Sequence, residues 1–289
     1  MYRCCNVKHF FHLLIIDAVV VAILALFVNT SGCFDTSGAD SGNISLNIIM
    51  YHSVSNEASV GEYIVSTQAF EQDLQWLREN GYESVLPSEL VSYVRGQKEL
   101  APKLVMLTFD DGCYNNLSDA LPLLEKYDYS AVVSVVGEYT DINAKKDPHV
   151  SAYSYLTWGD INNLIDSQKI EIGNHTYSLH KNGERLGAKK MYYETESQYS
   201  QMLYADVSKL QNRIYENTGL LPICFAYPYG AVSAESIPVM KELGFLVTLG
   251  CEEKCNTIRI GNSDDLYSLG RYNRSGMIST ERFMQKVFQ

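Results

Sequence analysis

The stretch from Lys103 to Gly112 reads K-L-V-M-L-T-F-D-D-G, and it constrains the fold more than any other part of the chain. A short run rich in strand formers, Leu104 to Thr108, ends on two adjacent carboxylates, Asp110 and Asp111, followed by Gly112. Like charges side by side repel, and taking either out of water is costly unless a cation or a proton offsets it. Gly112 permits a sharp turn directly after them. The economical reading is a metal site, with one carboxylate on the cation and the other left as a base. An isolated Asp-Asp-Gly also fits a strand end whose carboxylates cap the next helix, with Asn115 and Asn116 nearby. The remaining chain has to decide between these.

Strand-like and helix-like patterns alternate along the chain. Predicted strands are Ser45–Met50, Glu83–Leu86, Ala131–Val136, Ile170–Gly173, Ile223–Tyr227, Phe245–Leu249 and a last one over Leu266–Tyr272. Predicted helices are Thr67–Asn80 with Thr67 as N-cap, Pro87–Arg95, Leu117–Tyr127, Thr157–Ser167, Glu194–Thr218, Glu235–Leu243 and Thr280–Phe288. Asp141–Tyr155 reads as a polar insertion and Lys181–Lys190 as a basic, solvated loop. The alternation predicts an α/β fold with a parallel sheet. His52, Asp110, Asp111, His175 and Tyr229 all fall just past a predicted strand. An open sheet would spread them too widely to meet. A single distorted (β/α) barrel of about seven strands gathers them at one end.

The net charge of -11 argues against nucleic acid or a polyanion as partner. At the N-terminus, Arg3 and Lys8 precede an apolar run from Leu13 to Val28 that is broken by Asp17. This pattern predicts a signal peptide or membrane anchor over residues 1–29, a Gly/Ser-rich linker over 30–43 and the barrel over 44–289. Membrane attachment through that segment and an extracellular location follow as expectations. Ser31-Gly32-Cys33 resembles a lipoprotein cleavage site, with Thr30 where Leu is usual. The seven cysteines show no repeated C-x-x-C pair, which excludes a zinc finger. Cys251 and Cys255 are spaced to bridge in an exported chain, Cys113 borders the Asp-Asp-Gly, and Cys224 reads as a small buried hydrophobe.

His175-T-Y-S-L-His180 supplies two imidazoles. On a regular helix, side chains four apart lie about 40° apart around the axis, and five apart about 140°. A straight helix therefore cannot aim both rings at one ion, whereas a strand end followed by a turn can. With Asp111 they make two imidazoles and one carboxylate, a set that leaves positions for water and substrate. T-F-D-D-G, H-T-Y-S-L-H and F-A-Y-P-Y-G together resemble the polysaccharide deacetylase family, the family 4 carbohydrate esterases, over roughly Leu46 to Phe288. The resemblance implies a distorted (β/α) barrel that removes acetyl groups from sugars with a divalent metal, commonly zinc. By position it implies Asp110 as general base and Asp111, His175 and His180 as metal ligands. The Tyr229 backbone N–H would contribute to the oxyanion hole.

Three departures stand out. The histidines are five apart rather than four. Ala226 stands where many members have Arg. Leu269-Gly270-Arg271 stands where most carry a Leu-x-His, and no histidine follows His180. His52, in Y-H-S-V, is the candidate general acid in their place. That segment resembles the branch that includes the biofilm poly-N-acetylglucosamine deacetylases. Arg271 and Asn273 are candidates to orient Asp110 or bind a sugar hydroxyl, and Arg271 reads first as a structural ion-pair partner. The expected function is metal-dependent N-deacetylation of an N-acetylhexosamine polysaccharide, either exopolysaccharide or cell-wall glycan. The rival expectations are an O-acetyl glycan esterase and a catalytically silent glycan-binding protein.

Overall fold

The computed structural model describes residues 43–289 except Asp147. The expected signal or anchor segment, the lipoprotein-like site and nearly all of the linker lie outside the described residues. In chain order the strands are β1 (Asn43–Tyr51), β2 (Ser53–Val54), β3 (Ile64–Val65), β4 (Glu83–Ser84), β5 (Leu104–Phe109) and β6 (Ala131–Val135). They continue with β7 (Ile170–Asn174), β8 (Cys224–Ala226), β9 (Val247–Leu249), β10 (Asn256–Arg259) and β11 (Tyr272–Asn273). The helices are α1 (Thr67–Glu79), α2 (Pro87–Val94), α3 (Leu121–Tyr127), α4 (Gly137–Lys146), α5 (Trp158–Asp166), α6 (Glu196–Thr218), α7 (Ser236–Glu242) and α8 (Thr280–Phe288).

The main sheet runs β10-β1-β5-β6-β7-β8-β9, with every neighbour from β1 to β9 parallel. β10 lies antiparallel along the first half of β1, and β11 lies parallel along its second half. Leu249 at the end of β9 bridges Leu269, and Tyr272 three residues on pairs with Ile49 of β1. One segment thus touches both margins of the sheet and closes it into a distorted (β/α) barrel. Alternation along the strands separates two cores. Leu46, Ile48, Leu104, Met106, Val132, Cys224, Ala226, Val247 and Leu249 fill the interior. Ile49, Tyr51, Val105, Leu107, Phe109, Val133 and Val135 face the helices outside.

Most elements form where the sequence places them, including the capping box of Thr157 and Asp160 and the left-handed Gly219 that ends α6. The differences have local causes. The N-cap of α1 is Ser66 rather than Thr67, and its side chain accepts from the Ala69 N–H at 3.1 Å. Within the expected polar insertion the chain forms most of α4, whose first turn is held from outside: Gly137 N–H donates to Thr176 O and Glu138 N–H to Tyr177 O. The expected last strand, Leu266–Tyr272, shrinks to the Leu269 bridge and β11. There Ser268 takes φ 59°, and the Asn256 side chain bonds both the N–H and the C=O of Gly270 in place of a neighbouring strand. β10 escaped the sequence reading because only Ile258, among N-T-I-R, carries apolar bulk inward. Cys251 and Cys255 are free thiols, not a bridge.

A second buried contact fastens the C-terminal segment. Arg274 donates to both oxygens of Asp73 on α1, at 2.8 and 3.1 Å, and both side chains are shut off from solvent. Thr280 and Tyr51 hydroxyls donate to the same carboxylate at 2.6 and 3.0 Å. Removing one partner strands a charge in the core, which costs about 3–5 kcal/mol, whereas replacing both with apolar residues is often close to neutral. Urea denaturation should therefore show Arg274→Met strongly destabilised and Asp73→Leu/Arg274→Met recovering most of the loss.

Candidate active site

The strands deliver their C-terminal ends to one mouth. In register, Tyr51 pairs with Phe109, Phe109 with Val133, Val135 with Asn174, and Asn174 with Phe225. The residues just past these ends are His52, Asp110, Asp111, His175 and, one turn later, Tyr229. All five, together with His180, line one cavity of about 640 Å³, with Met50, Glu62, Tyr63, Cys251, Glu253 and Asn273 completing its wall.

Asp110 N–H donates to Tyr51 O at 3.0 Å, so the ladder continues one residue past β5. By strand alternation its side chain then follows Leu104, Met106 and Thr108 toward the barrel interior. There Arg271, with no exposed surface, meets it in a fork: Nη1 and Nη2 each lie 2.8 Å from one carboxylate oxygen. The same guanidinium donates to Thr108 Oγ1 at 3.2 Å and to Gly250 O at 2.7 Å. A polar layer thus seals the apolar interior just beneath the mouth. Burial opposes ionisation of Asp110, but Arg271 and the nearby His175 outweigh it and hold its carboxyl below the usual range. The expected structural ion-pair role of Arg271 is real, and its partner is the candidate base itself. Asn273 instead donates to Glu62 Oε1 at 3.0 Å in the cavity wall.

Asp111 turns the chain with φ 72°, and Gly112 follows at φ 68°. A Cβ on Gly112 would stand 2.9 Å from Val135 Cγ1, so both its conformation and its contact require glycine. The turn brings Asp111 to the two imidazoles, the nearer of which to Asp110, His175, has its Nε2 4.0 Å from Asp110 Oδ2. His175 Nε2 lies 3.5 Å from Asp111 Oδ1, and His180 Nε2 lies 3.0 Å from the same oxygen. The ligand atoms of this trio all fall within 4.8 Å of one another. His175 sits directly after β7, its Nδ1 2.8 Å from Ala226 O. A carbonyl can only accept, so Nδ1 carries a proton, and in the neutral ring the lone pair is on Nε2. Asp111 Oδ1 is buried yet has no hydrogen bond of acceptable geometry. A lone pair and a carboxylate oxygen converging in a buried place repel unless a cation stands between them. Two imidazole nitrogens and a carboxylate suit zinc or a similar divalent ion, so the residues present fit the expected metal.

Thr176, at φ 71°, breaks the strand and lets the chain loop from His175 to His180. Three donors on this loop, Tyr177 N–H, Ser178 N–H and Ser178 Oγ, converge on the Asp206 carboxylate at 2.7–3.0 Å. Asn174 Oδ1 accepts from Thr176 N–H at 2.9 Å. Asp206 lies in the middle of α6, where nothing in the sequence marks it as a support of the site. His52 stands edge-on to Tyr63, ring centroids 4.7 Å apart, and its buried Nδ1 has no hydrogen-bond partner. Burial lowers its pKa, although Asp110 and Asp111 pull the other way. Tyr229 has φ 58°, and its half-exposed ring lies 4.8 Å from the ring of His180. Cys113 is half-buried beside Asp111, and desolvation followed by the Asp111 charge pushes its thiol above the range in which it ionises.

The family model described as "Polysaccharide deacetylase" matches residues 97–248, more than half of the chain. The chain belongs to the polysaccharide deacetylase family. It is 28% identical over 259 residues to the poly-beta-1,6-N-acetyl-D-glucosamine N-deacetylase of Escherichia coli K12, covering 83% of this chain and 38% of that protein. The chain therefore spans well under half the length of that relative. Among solved structures, IcaB from Ammonifex degensii superposes with a TM-score of 0.66 at 26% identity, covering 84% of this chain and 95% of IcaB. The Streptococcus pyogenes deacetylase PplD shares the fold with a TM-score of 0.67 at 21% identity, over 85% of this chain and 99% of PplD. Zinc titration of the deacetylase chain should give one tight site per molecule. His175→Ala and Asp111→Asn should each weaken it roughly tenfold or more, whereas His52→Ala should leave it nearly intact.

Proposed function

We propose that this protein is a metal-dependent N-deacetylase of a poly-β-1,6-N-acetylglucosamine type of polysaccharide, releasing acetate. The observation that carries the proposal is the adjacency of an arginine-held carboxylate, Asp110, and a carboxylate–imidazole trio within one cavity. The printed activity of the E. coli relative supports the choice of polymer, and the export pattern of residues 1–29 supports an exopolysaccharide outside the cell over an internal substrate. A glycan-binding protein has no need of a buried, ionised carboxylate beside a metal position.

Asp111, His175 and His180 would hold the ion. When bound, it would polarise a water molecule and the acetamide carbonyl and favour the charge that develops there. Asp110 accepts the proton of the attacking water, and the Arg271 fork keeps it ionised and aimed. The water oxygen bonds to the acetyl carbon, and the carbon–nitrogen bond then breaks. The Tyr229 amide is the backbone donor we assign to the developing oxyanion. His52, as the imidazolium, gives its proton to the departing amine. Its lowered pKa makes that imidazolium a stronger acid, and resetting it requires uptake of a proton from solvent. An alkoxide leaves with less help from an acid, so His52 also separates amide from ester substrates.

Acetate release from N-acetylglucosamine oligomers should disappear on chelation and return with zinc. Asp110→Asn should lower it by roughly 10²–10⁴-fold while zinc remains bound, and His52→Ala should harm N-deacetylation far more than hydrolysis of an O-acetyl sugar. Zinc binding without any acetate release from such oligomers would overturn the assigned substrate. The pH dependence follows from the base. Asp110 works when ionised, above its pKa, and Arg271 lowers that pKa. Arg271→Gln should therefore move the acidic limb of the kcat/KM profile to higher pH.

A further inference from the structure

We infer that Tyr139, on α4, is the positioning residue that selects which nitrogen of His180 faces the ion, and so makes the five-residue histidine spacing usable. The inference rests on the reading of Asp111, His175 and His180 as the metal ligands. For His175 the choice of nitrogen is made by a backbone carbonyl, Ala226 O. No carbonyl does this for His180. Its Nδ1 instead lies 3.2 Å from the Tyr139 hydroxyl, and that hydroxyl also lies 3.4 Å from the carbonyl oxygen of His180 itself.

A hydroxyl has one proton to give and lone pairs to receive. If the Tyr139 proton went to Nδ1, the proton of a neutral His180 would sit on Nε2, facing Asp111 Oδ1 at 3.0 Å. That oxygen, however, has no hydrogen bond of acceptable geometry. The consistent arrangement is the reverse. Tyr139 donates to His180 O and accepts from Nδ1–H, leaving the Nε2 lone pair on the cavity side. One oxygen then grips both the ring and the backbone of the same residue. Fixing the tautomer of a metal-binding histidine through its other ring nitrogen is a general device, and losing such a partner typically weakens metal binding 10–100-fold.

The surroundings hold that oxygen in place. α4 starts directly after β6, and its first two N–H groups donate to Thr176 O and Tyr177 O in the loop between the histidines. A Cβ on Gly137 would lie 2.5 Å from the Tyr177 ring, so glycine is needed for this close approach. The Tyr139 ring rests on Tyr155, centroids 4.5 Å apart. The loop and the hydroxyl that orients its last residue therefore belong to one rigid contact. Tyr139 falls between the expected strand Ala131–Val136 and the expected insertion Asp141–Tyr155, where nothing in the sequence marks it for this role.

The test uses the whole chain and measures zinc affinity by competition with a chromogenic chelator, alongside the metal-free Tm and the ¹⁵N shifts of the histidine rings. Tyr139→Phe removes one oxygen and keeps the stacked ring. It should weaken zinc by about 10–100-fold, leave the metal-free Tm unchanged and convert His180 from an Nδ1–H form to a tautomer mixture. Tyr155→Phe should change none of the three. Unchanged zinc affinity in Tyr139→Phe would overturn the inference, as would a loss of affinity accompanied by an equal fall in metal-free Tm. If the wild-type chain binds zinc no better than His180→Ala, the ligand reading itself fails, and the role of Tyr139 fails with it. Weakened binding in His180→Ala with none in Tyr139→Phe would reject the positioning role alone.

Discussion

Two adjacent carboxylates at a buried strand end are tolerable only if their charges are separated and each is given its own positive neighbour. The barrel meets this constraint by giving them different partners on either side of His175, whose Nε2 lies 4.0 Å from Asp110 Oδ2 and 3.5 Å from Asp111 Oδ1. Asp110 keeps the strand's alternation and enters the interior, where Arg271 grips both of its oxygens. Asp111 leaves the alternation through a left-handed backbone and turns to the imidazoles. The glycine after it, the packing against Val135 and the interior polar layer all follow from that division. The chemical asymmetry of the site is the same fact seen from above: one carboxylate is fixed by a two-pronged arginine that still leaves it lone pairs, while the other presents a buried oxygen with no hydrogen bond among the described residues.

The departures from the family pattern become coherent in this geometry. The place where the resemblance expects a late histidine holds Arg271, and the place where it expects an arginine holds Ala226. Ala226 contributes its carbonyl, which fixes His175, and Arg271 holds Asp110. The longer histidine spacing is accommodated by a loop held on three sides by α4, Asp206 and Asn174. What looks in the sequence like a weakened site is a site whose supports come from other strands.

The candidate site was legible in the sequence because it depends on local signals. Polar residues that end apolar runs mark strand ends, and strand ends in a parallel barrel share a mouth. The placing of His52, Asp110, Asp111, His175 and Tyr229 around one cavity needed no more than that, and His180 joined them through its spacing from His175 and the family resemblance. The supports were not legible. Asp206 and Asp73 sit within ordinary amphipathic helices, and an acid there looks like a surface residue until its partner, far away in sequence, is known. Arg271 was visible as a candidate partner of Asp110, but the sequence could not separate that role from a sugar contact or an unrelated ion pair, because the pairing depends on barrel closure. α4 was hidden for the same reason: its first turn is stabilised by carbonyls from another loop rather than by a capping residue of its own.

Barrel closure by the segment from Leu269 to Arg274 has a consequence for how the chain matures. Both buried guanidinium–carboxylate pairs draw their arginine from this stretch, with partners 161 and 201 residues earlier. Until those arginines arrive, Asp110 and Asp73 would be unpaired charges in any compact state, and neither is stable in that form. A chain emerging from its N-terminal side can build β5, the Asp111–His175–His180 trio and most of the helices, but it has to leave these two carboxylates hydrated until the segment from Leu269 to Arg274 has followed. Competence for catalysis and completion of the fold would then be a single late event during biogenesis, and a chain cut short before Leu269 would lose both together.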